Sequence, residues 1–277
     1  MAEEPLQTLP YPEADEEEGG PVKTFLEHLE DLRWVLIRCF VALMLGMVTC
    51  LVGAKYIVEV LTWPLLNSGQ DVRIETLGPL GGFSISMKVA FYGGITLALP
   101  FILYFIGDFV MPALKRNEKK FFLRAFIVGG GLFAAGMMLC YFVILKISLG
   151  GLSQYNKWLG LSGEMWRAEE YFHFVIMFLF GMGVSFEVPV LILTLVRVGI
   201  IPHETLVKSR AYLFIGNLVA CAFITPDAIS TIFMVIPVQA LMEICIMISR
   251  HWEKQKRLAE AAEYAAAAKI DAGGSDA

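Results

Sequence analysis

Apolar residues run almost unbroken by charge through six stretches of the chain, at 34–54, 89–107, 125–145, 171–196, 211–226 and 228–249, with Arg38, His173, Glu187 and Glu243 as the interruptions. A bilayer-crossing helix needs about 18 or more such residues, whereas a transmembrane barrel would show alternating segments of about ten. The pattern therefore predicts an all-α membrane protein with six transmembrane helices. The fifth stretch has 16 residues, worth about 24 Å of helix against a hydrocarbon core of about 30 Å. Little more than Pro226 and Asp227 separates it from the sixth. Two readings stay open: a short hairpin that crosses a locally thinned bilayer, or a re-entrant hairpin that never reaches the far face. The acid in the turn prefers water on the far side and favours short fifth and sixth crossings.

Composition agrees: 57% of the 277 residues are hydrophobic and 18% charged, with a mean hydropathy of +0.63, against about 45–50% and 25% in soluble domains. Charge adds orientation. With an even number of crossings both termini share one face. That face carries 16 Lys and Arg, and the opposite face carries 6, so both termini are predicted to be cytoplasmic. The net charge of -5 comes from the first 20 residues, which hold seven acids and no base. With its prolines and glycines this segment reads as a solvated, disordered acidic tail, 1–22, ahead of a membrane domain, 23–250, and a cytoplasmic tail, 251–277. It resembles neither a signal peptide nor an Arg-rich transit peptide, which favours a bacterial inner membrane.

The two far-side loops, 55–86 and 146–170, have room for short interfacial helices, with Trp63-Pro64 and Trp158 as aromatic anchors. The stretch 250–269 is Ala-rich with Lys, Arg and Glu, and reads as a solvated helix or frayed tail. The five cysteines sit in apolar runs without metal-ligand spacing and read as small hydrophobes. No internal repeat and no nucleotide-binding loop is found, and no cofactor or nucleic acid is expected.

Polar residues at the wrong depth carry the candidate chemistry. Glu187 lies well inside the fourth stretch, two residues before Pro189. An ionisable group there costs at least a few kcal/mol and normally faces a partner, a cavity or a pathway, so Glu187 reads as functional; a protonated or bonded structural acid is the alternative. Glu243 stands near the basic end of the sixth stretch, where snorkelling or helix pairing competes with function. Lys88 and His173 read as interfacial side chains. On the cytoplasmic face, Glu27, Glu30 and Asp31 crowd one short amphipathic segment with His28 and Arg33, and Glu118 stands within a basic loop. The positive-inside rule explains the lysines but not these acids, and a carboxylate cluster there could bind a basic ligand through charge-assisted contacts. No nucleophile–base set for an enzyme is present.

In order along the chain, Phe25-Leu26-Glu27-His28-Leu29-Glu30-Asp31-Leu32-Arg33, Pro64, Leu99-Pro100-Phe101-Ile102-Leu103-Tyr104, Phe109, Pro112-Ala113-Leu114, Glu118, the string from Gly183 to Val190, Thr225-Pro226-Asp227, and Ile236-Pro237 before Glu243 resemble the TatC family, the polytopic subunit of the twin-arginine protein translocase. The resemblance covers nearly the whole membrane domain. It implies a concave, glove-like bundle that receives Arg-Arg signal peptides of folded proteins. Asp31 and Glu118 would take the arginines, and Arg33 and Phe109 would share that surface. The apolar part of the signal would lie toward Glu187. It also implies single-span partners related to TatB and TatA, several copies in a complex, and transport driven by the proton-motive force. Pro64, Asp227 and Glu243 are structural or partner-contact candidates.

The chain departs from the family pattern at four points. Asp31 replaces the usual Glu, so Glu30 could substitute for it; Val35 replaces a second Arg; Pro226 stands alone where two prolines are common; Thr231 replaces a Gln. The competing class is a secondary transporter or channel for a small solute, with Glu187 and Glu243 coupling protons. It predicts paired Gly/Pro interruptions in two related halves, which the sequence lacks.

Overall fold

Five helical stretches are long and apolar enough to cross a membrane: Leu26–Val52, Gly81–Val110, Leu123–Trp158, Ala168–Arg197 and Ala228–Gln255. A sixth apolar helix, Arg210–Ile224, is shorter. The structure, a computed structural model, describes residues 25–67, 72–111, 116–161, 165–198, 200–225 and 227–273. The expected acidic tail, 1–22, lies outside the described residues.

In chain order the elements are α1 (Phe25–Val52), α2 (Ala54–Leu66), β1 (Arg73–Glu75), α3 (Gly81–Lys88), α4 (Gly94–Val110), α5 (Arg116–Leu139), α6 (Leu145–Trp158), β2 (Met165–Arg167), α7 (Ala168–Val198), α8 (His203–Lys208), α9 (Arg210–Ile224) and α10 (Ala228–Gly273). A π-helical turn at Val89–Gly93 joins α3 to α4, and another at Cys140–Ile144 joins α5 to α6. Each inserts a residue into the helical ladder and shifts the packing face without ending the helix. The apolar helices α4 and α5 therefore continue into α3 and α6 as single bodies.

Small residues set the helix spacing. A Cβ at Gly46 of α1 would stand 2.6 Å from the Gly94 carbonyl oxygen of α4, so these backbones touch. Between α5 and α7, glycines face aromatic rings: a Cβ at Gly136 would stand 2.8 Å from Phe186 and one at Gly183 2.7 Å from Phe133, so either ring would have to shift. Such contacts replace the hydrophobic drive that lipid cannot provide. The core gathers around α7, where Val175, Phe178 and Met182 are fully buried, together with Leu145 and Leu149 of α6 and Met234 of α10.

The described parts of 55–86 and 146–170 carry more structure than the sequence alone suggests. Besides α2, α3 and α6, they contribute a parallel pair in which Arg73 aligns with Met165 and Glu75 with Arg167. Pro64 lies inside α2 and is fully buried. Lacking an N–H, it leaves the Val60 carbonyl without its helical donor, and the Tyr141 hydroxyl donates to that oxygen at 2.7 Å. Tyr171 donates to the next carbonyl, Leu61, at 2.8 Å. Two aromatic hydroxyls thus dock α2 onto neighbouring helices. Tyr141→Phe is expected to cost about 1 kcal/mol, read as a lower unfolding midpoint of the purified protein with helix content unchanged.

The sequence expectation of a short sixth helix is corrected. α10 runs 46 residues, and its apolar part alone extends from Ala228 to Gln255. No Gly or Pro lies between Val238 and Ala272, and the Ala, Glu, Lys and Arg residues that follow the membrane stretch are strong helix formers. Nothing stops the helix, so the charged, Ala-rich segment continues it to Gly273. The fifth, α9, is short as expected, with 15 residues.

Candidate functional site

The first turns of α1 meet the end of α4. The His28 imidazole stacks on the Phe109 ring, with centroids 4.4 Å apart and planes 16° from parallel. This contact brings the carboxylate-bearing segment 27–33 to one of the candidate residues, Phe109, from a separate part of the chain. Phe109 and Asp31 are half-buried, and Glu30 and Arg33 are exposed. Glu118 lies two residues into α5; its side chain lies outside the described residues, as do 112–115. Its backbone position is still restricted, because the five residues between Val110 and Arg116 can span at most about 22 Å. Asp31, Glu30, Arg33, Phe109 and the start of α5 therefore belong to one end of the bundle. His28 was quoted in the sequence only as part of the entry motif, and the stack gives it a positioning role.

Deeper in the bundle, the Glu187 carboxyl packs against α5 at Gly129, where a Cβ would sit 2.7 Å from its Oε2. Its Oε1 is buried and has no hydrogen-bond partner among the described residues. The glycine at 129 is what makes room for the acid. Pro189 is fully buried two residues on, and because it lacks an N–H it cannot donate to the Ser185 carbonyl. Glu187 and Pro189 thus create one polar defect in an apolar wall. Sequence reading picked out the acid but not Gly129, whose signal was the run Gly129-Gly130-Gly131 inside a crossing helix.

The remaining candidates hold elements together. Asp227 caps α10: its Oδ2 accepts from the Ser230 N–H at 2.6 Å, and its carbonyl accepts from the Thr231 N–H and hydroxyl. Thr225 and Thr231 share a 2.6 Å hydroxyl contact across the same turn. The turn acid therefore serves the helix end, and its Oδ1 is buried. Asp227→Ala is expected to destabilise the α9–α10 turn by about 1 kcal/mol, seen as faster amide hydrogen exchange at residues 228–231 with the remaining helices unaffected. Glu243 forms an ion pair with Arg210, joining α10 to the start of α9. Beyond it, Arg257 bonds Glu253 at 3.0 Å and Glu204 of α8 at 3.1 Å, and these carboxylates raise its proton affinity above the ordinary guanidinium range. Arg197 stacks over the Trp252 ring at 5.1 Å. Lys88 donates to the Glu169 carbonyl at 3.4 Å. Among the described residues no cluster of His, Cys, Asp and Glu could hold a metal ion.

Residues 27–237 match the model of the family described as Sec-independent protein translocase protein (TatC). The chain belongs to the TatC family. A TatC of Aquifex aeolicus is 31% identical over 231 residues, covering 83% of this chain and 96% of the relative. A TatC of Deinococcus radiodurans is 33% identical over 253 residues, covering 89% and 92%. A chloroplastic TATC of Arabidopsis thaliana is 32% identical over 234 residues, covering 83% and 67%. A crystal structure titled as the twin-arginine translocase receptor TatC in DDM superposes with a TM-score of 0.72 at 31% identity, covering 80% of this chain and 99% of that one. This TatC chain is thus a multi-pass membrane subunit of a protein translocase, with a function in protein transport.

Proposed function

We propose that this TatC chain is the receptor and core subunit of a twin-arginine translocase in a bacterial inner membrane. It has six crossings, with both termini in the cytoplasm and a concave, glove-like face. It binds the Arg-Arg signal peptides of folded proteins and supports their export under the proton-motive force. The acidic segment 1–22 and the segment 251–277 flank the membrane domain on the cytoplasmic side. The observation that carries this reading is the His28–Phe109 stack, which pins the acid-bearing start of α1 to the end of α4, a few residues before Glu118.

A guanidinium pair needs paired carboxylates, and bidentate arginine–carboxylate contacts discriminate Arg from Lys by their planar geometry. Asp31 and Glu118 are assigned to the two arginines, with Glu30 able to replace Asp31; Arg33 and Phe109 complete the surface. The apolar part of the signal runs toward Glu187 and Pro189. TatB-like and TatA-like single-span subunits pack outside, with several copies per complex, and Pro64, Asp227 and Glu243 keep the partner-facing elements in register. The short α9, about 22 Å long, thins the surrounding bilayer where cargo passes.

A proton-coupled small-solute transporter is the weaker reading, because Glu243, its second coupling acid, is engaged by Arg210. The deciding experiment is photo-crosslinking in native membranes with probes at Glu118 and Asp31 and signal peptides carrying Arg-Arg or Lys-Lys. A crosslink that forms with Arg-Arg and weakens sharply with Lys-Lys is expected. Absence of crosslinks with either peptide, with partner subunits co-expressed and the chain inserted, would refute the receptor assignment.

A further inference from the structure

Arg38 lies more than three turns into α1, past the point where the helix becomes apolar, and it lines a groove of about 540 Å³ between α1 and α4. The apolar stretch opens at Trp34, so Arg38 lies about 6 Å inside it, and its guanidinium snorkels toward the headgroup level, where it needs an anionic partner. Among the described residues it has no ion-pair or hydrogen-bond partner. The groove is lined by small residues (Ala42, Gly46, Ala98) and by aromatic ones (Trp34, Phe101, Phe105). Trp34, Phe101 and Phe105 give it bulky apolar sides, and Trp34 stands one turn before Arg38, toward the N-terminus of α1.

We propose that this groove is a binding site for one anionic phospholipid of the leaflet at the N-terminal end of α1, with its phosphate on the Arg38 guanidinium and an acyl chain lying along the α1–α4 seam. Length supports a lipid chain. From Arg38 to Thr49, the last groove residue on α1, the helix rises about 16 Å, close to half of a hydrocarbon core of about 30 Å. Charge supports an anionic one: a planar guanidinium binds phosphate oxygens bidentately, and Trp34 sits where indoles favour the headgroup region.

A second helix fits less well. The small-residue pair Ala42 and Gly46 is the kind of pattern that recruits another helix, but Gly46 is already spent on the Gly94 backbone of α4. An apolar helix also brings no charge for Arg38.

The test uses the purified full-length chain in micelles containing equal amounts of palmitoyl-oleoyl phosphatidylglycerol and the phosphatidylcholine with the same chains, with retained lipid read by native mass spectrometry. The natural chain should retain phosphatidylglycerol about five-fold over phosphatidylcholine. Arg38→Gln should remove that preference, and Ala42→Phe, which fills the groove, should lower retention of both lipids. Neutralising a membrane-embedded cation eases insertion, so Arg38→Gln is expected to assemble; Arg38→Lys, retaining the charge but not the fork, should give an intermediate preference. Unchanged selectivity in Arg38→Gln, or unchanged retention in Ala42→Phe, overturns the site. A photoreactive residue at Leu97 that captures mainly a protein in cells, rather than phospholipid, would overturn it in favour of a partner helix. None of these readouts depends on signal recognition, so failure here and failure of the receptor assignment are separable.

Discussion

Export of twin-arginine substrates is expected to stop when Glu118 is replaced by Ala, while the protein still inserts and assembles. If Glu118 pairs with a signal arginine as proposed, removing it costs about 2–5 kcal/mol, equivalent to a loss of signal-peptide affinity of about 30-fold or more. The check is export of a folded reporter alongside peptide binding by the purified complex. Glu118→Gln should fail nearly as badly, because it keeps shape and hydrogen bonding but not charge. Normal export in Glu118→Ala would remove the residue from the receptor surface. Phe109→Ala should weaken binding by a smaller factor, since it loosens the His28 stack and leaves the carboxylates in place.

The second large effect belongs to the polar defect in the membrane. Glu187→Ala should reduce transport strongly and leave initial binding of the Arg-Arg segment nearly intact, because the acid packs at Gly129, about 20 Å along α5 from its Arg116 end. Gly129→Leu should reproduce this phenotype without touching the acid. Its Cβ would fall 2.7 Å from Glu187 Oε2, so the carboxyl must leave its slot or the α5–α7 contact must open. Overpacking of this kind typically costs about 1–3 kcal/mol, which a thermal unfolding scan would register. Gly129→Ala, carrying only the Cβ, should show a partial version of both changes. If Gly129→Leu were to transport normally while Glu187→Ala did not, the slot would be irrelevant to how the acid works.

Hydropathy revealed the crossings because a charged residue in hydrocarbon is penalised one position at a time, and that penalty is visible in any single sequence. The surface proposed around residues 27–33 and Glu118 was noticeable for a related reason: acids next to a membrane face that favours lysine stand out. Other features left no such trace. The π-helical turns at Val89–Gly93 and Cys140–Ile144 depend on one extra residue in a helix whose composition does not change. The β1–β2 pair joins segments about 90 residues apart, each three residues long, too short for any periodicity to register. Pro64 was noticeable, but its use was not, because the hydroxyl that satisfies Val60 comes from Tyr141. The end of α10 was misjudged for the opposite reason: the change from apolar to charged composition looks like a boundary, yet the backbone needs only good helix formers to continue.

That continuity gives α10 a mechanical character. At 46 residues it is about 69 Å long, more than twice a hydrocarbon core of about 30 Å; Pro237 lies inside it near its start, and beyond that it has no glycine or proline between Val238 and Ala272 at which to bend. The 36 residues after Pro237, about 54 Å of helix, act as a stiff rod that converts a small tilt into an excursion of about one ångström per degree at its far end. The bonds from Arg257 to Glu204 and from Trp252 to Arg197 act as a bearing part-way along the shaft. Any subunit that leans on the α9–α10 hairpin would then move the Gly273 end, so that occupancy inside the bilayer is transmitted as a displacement to the aqueous phase.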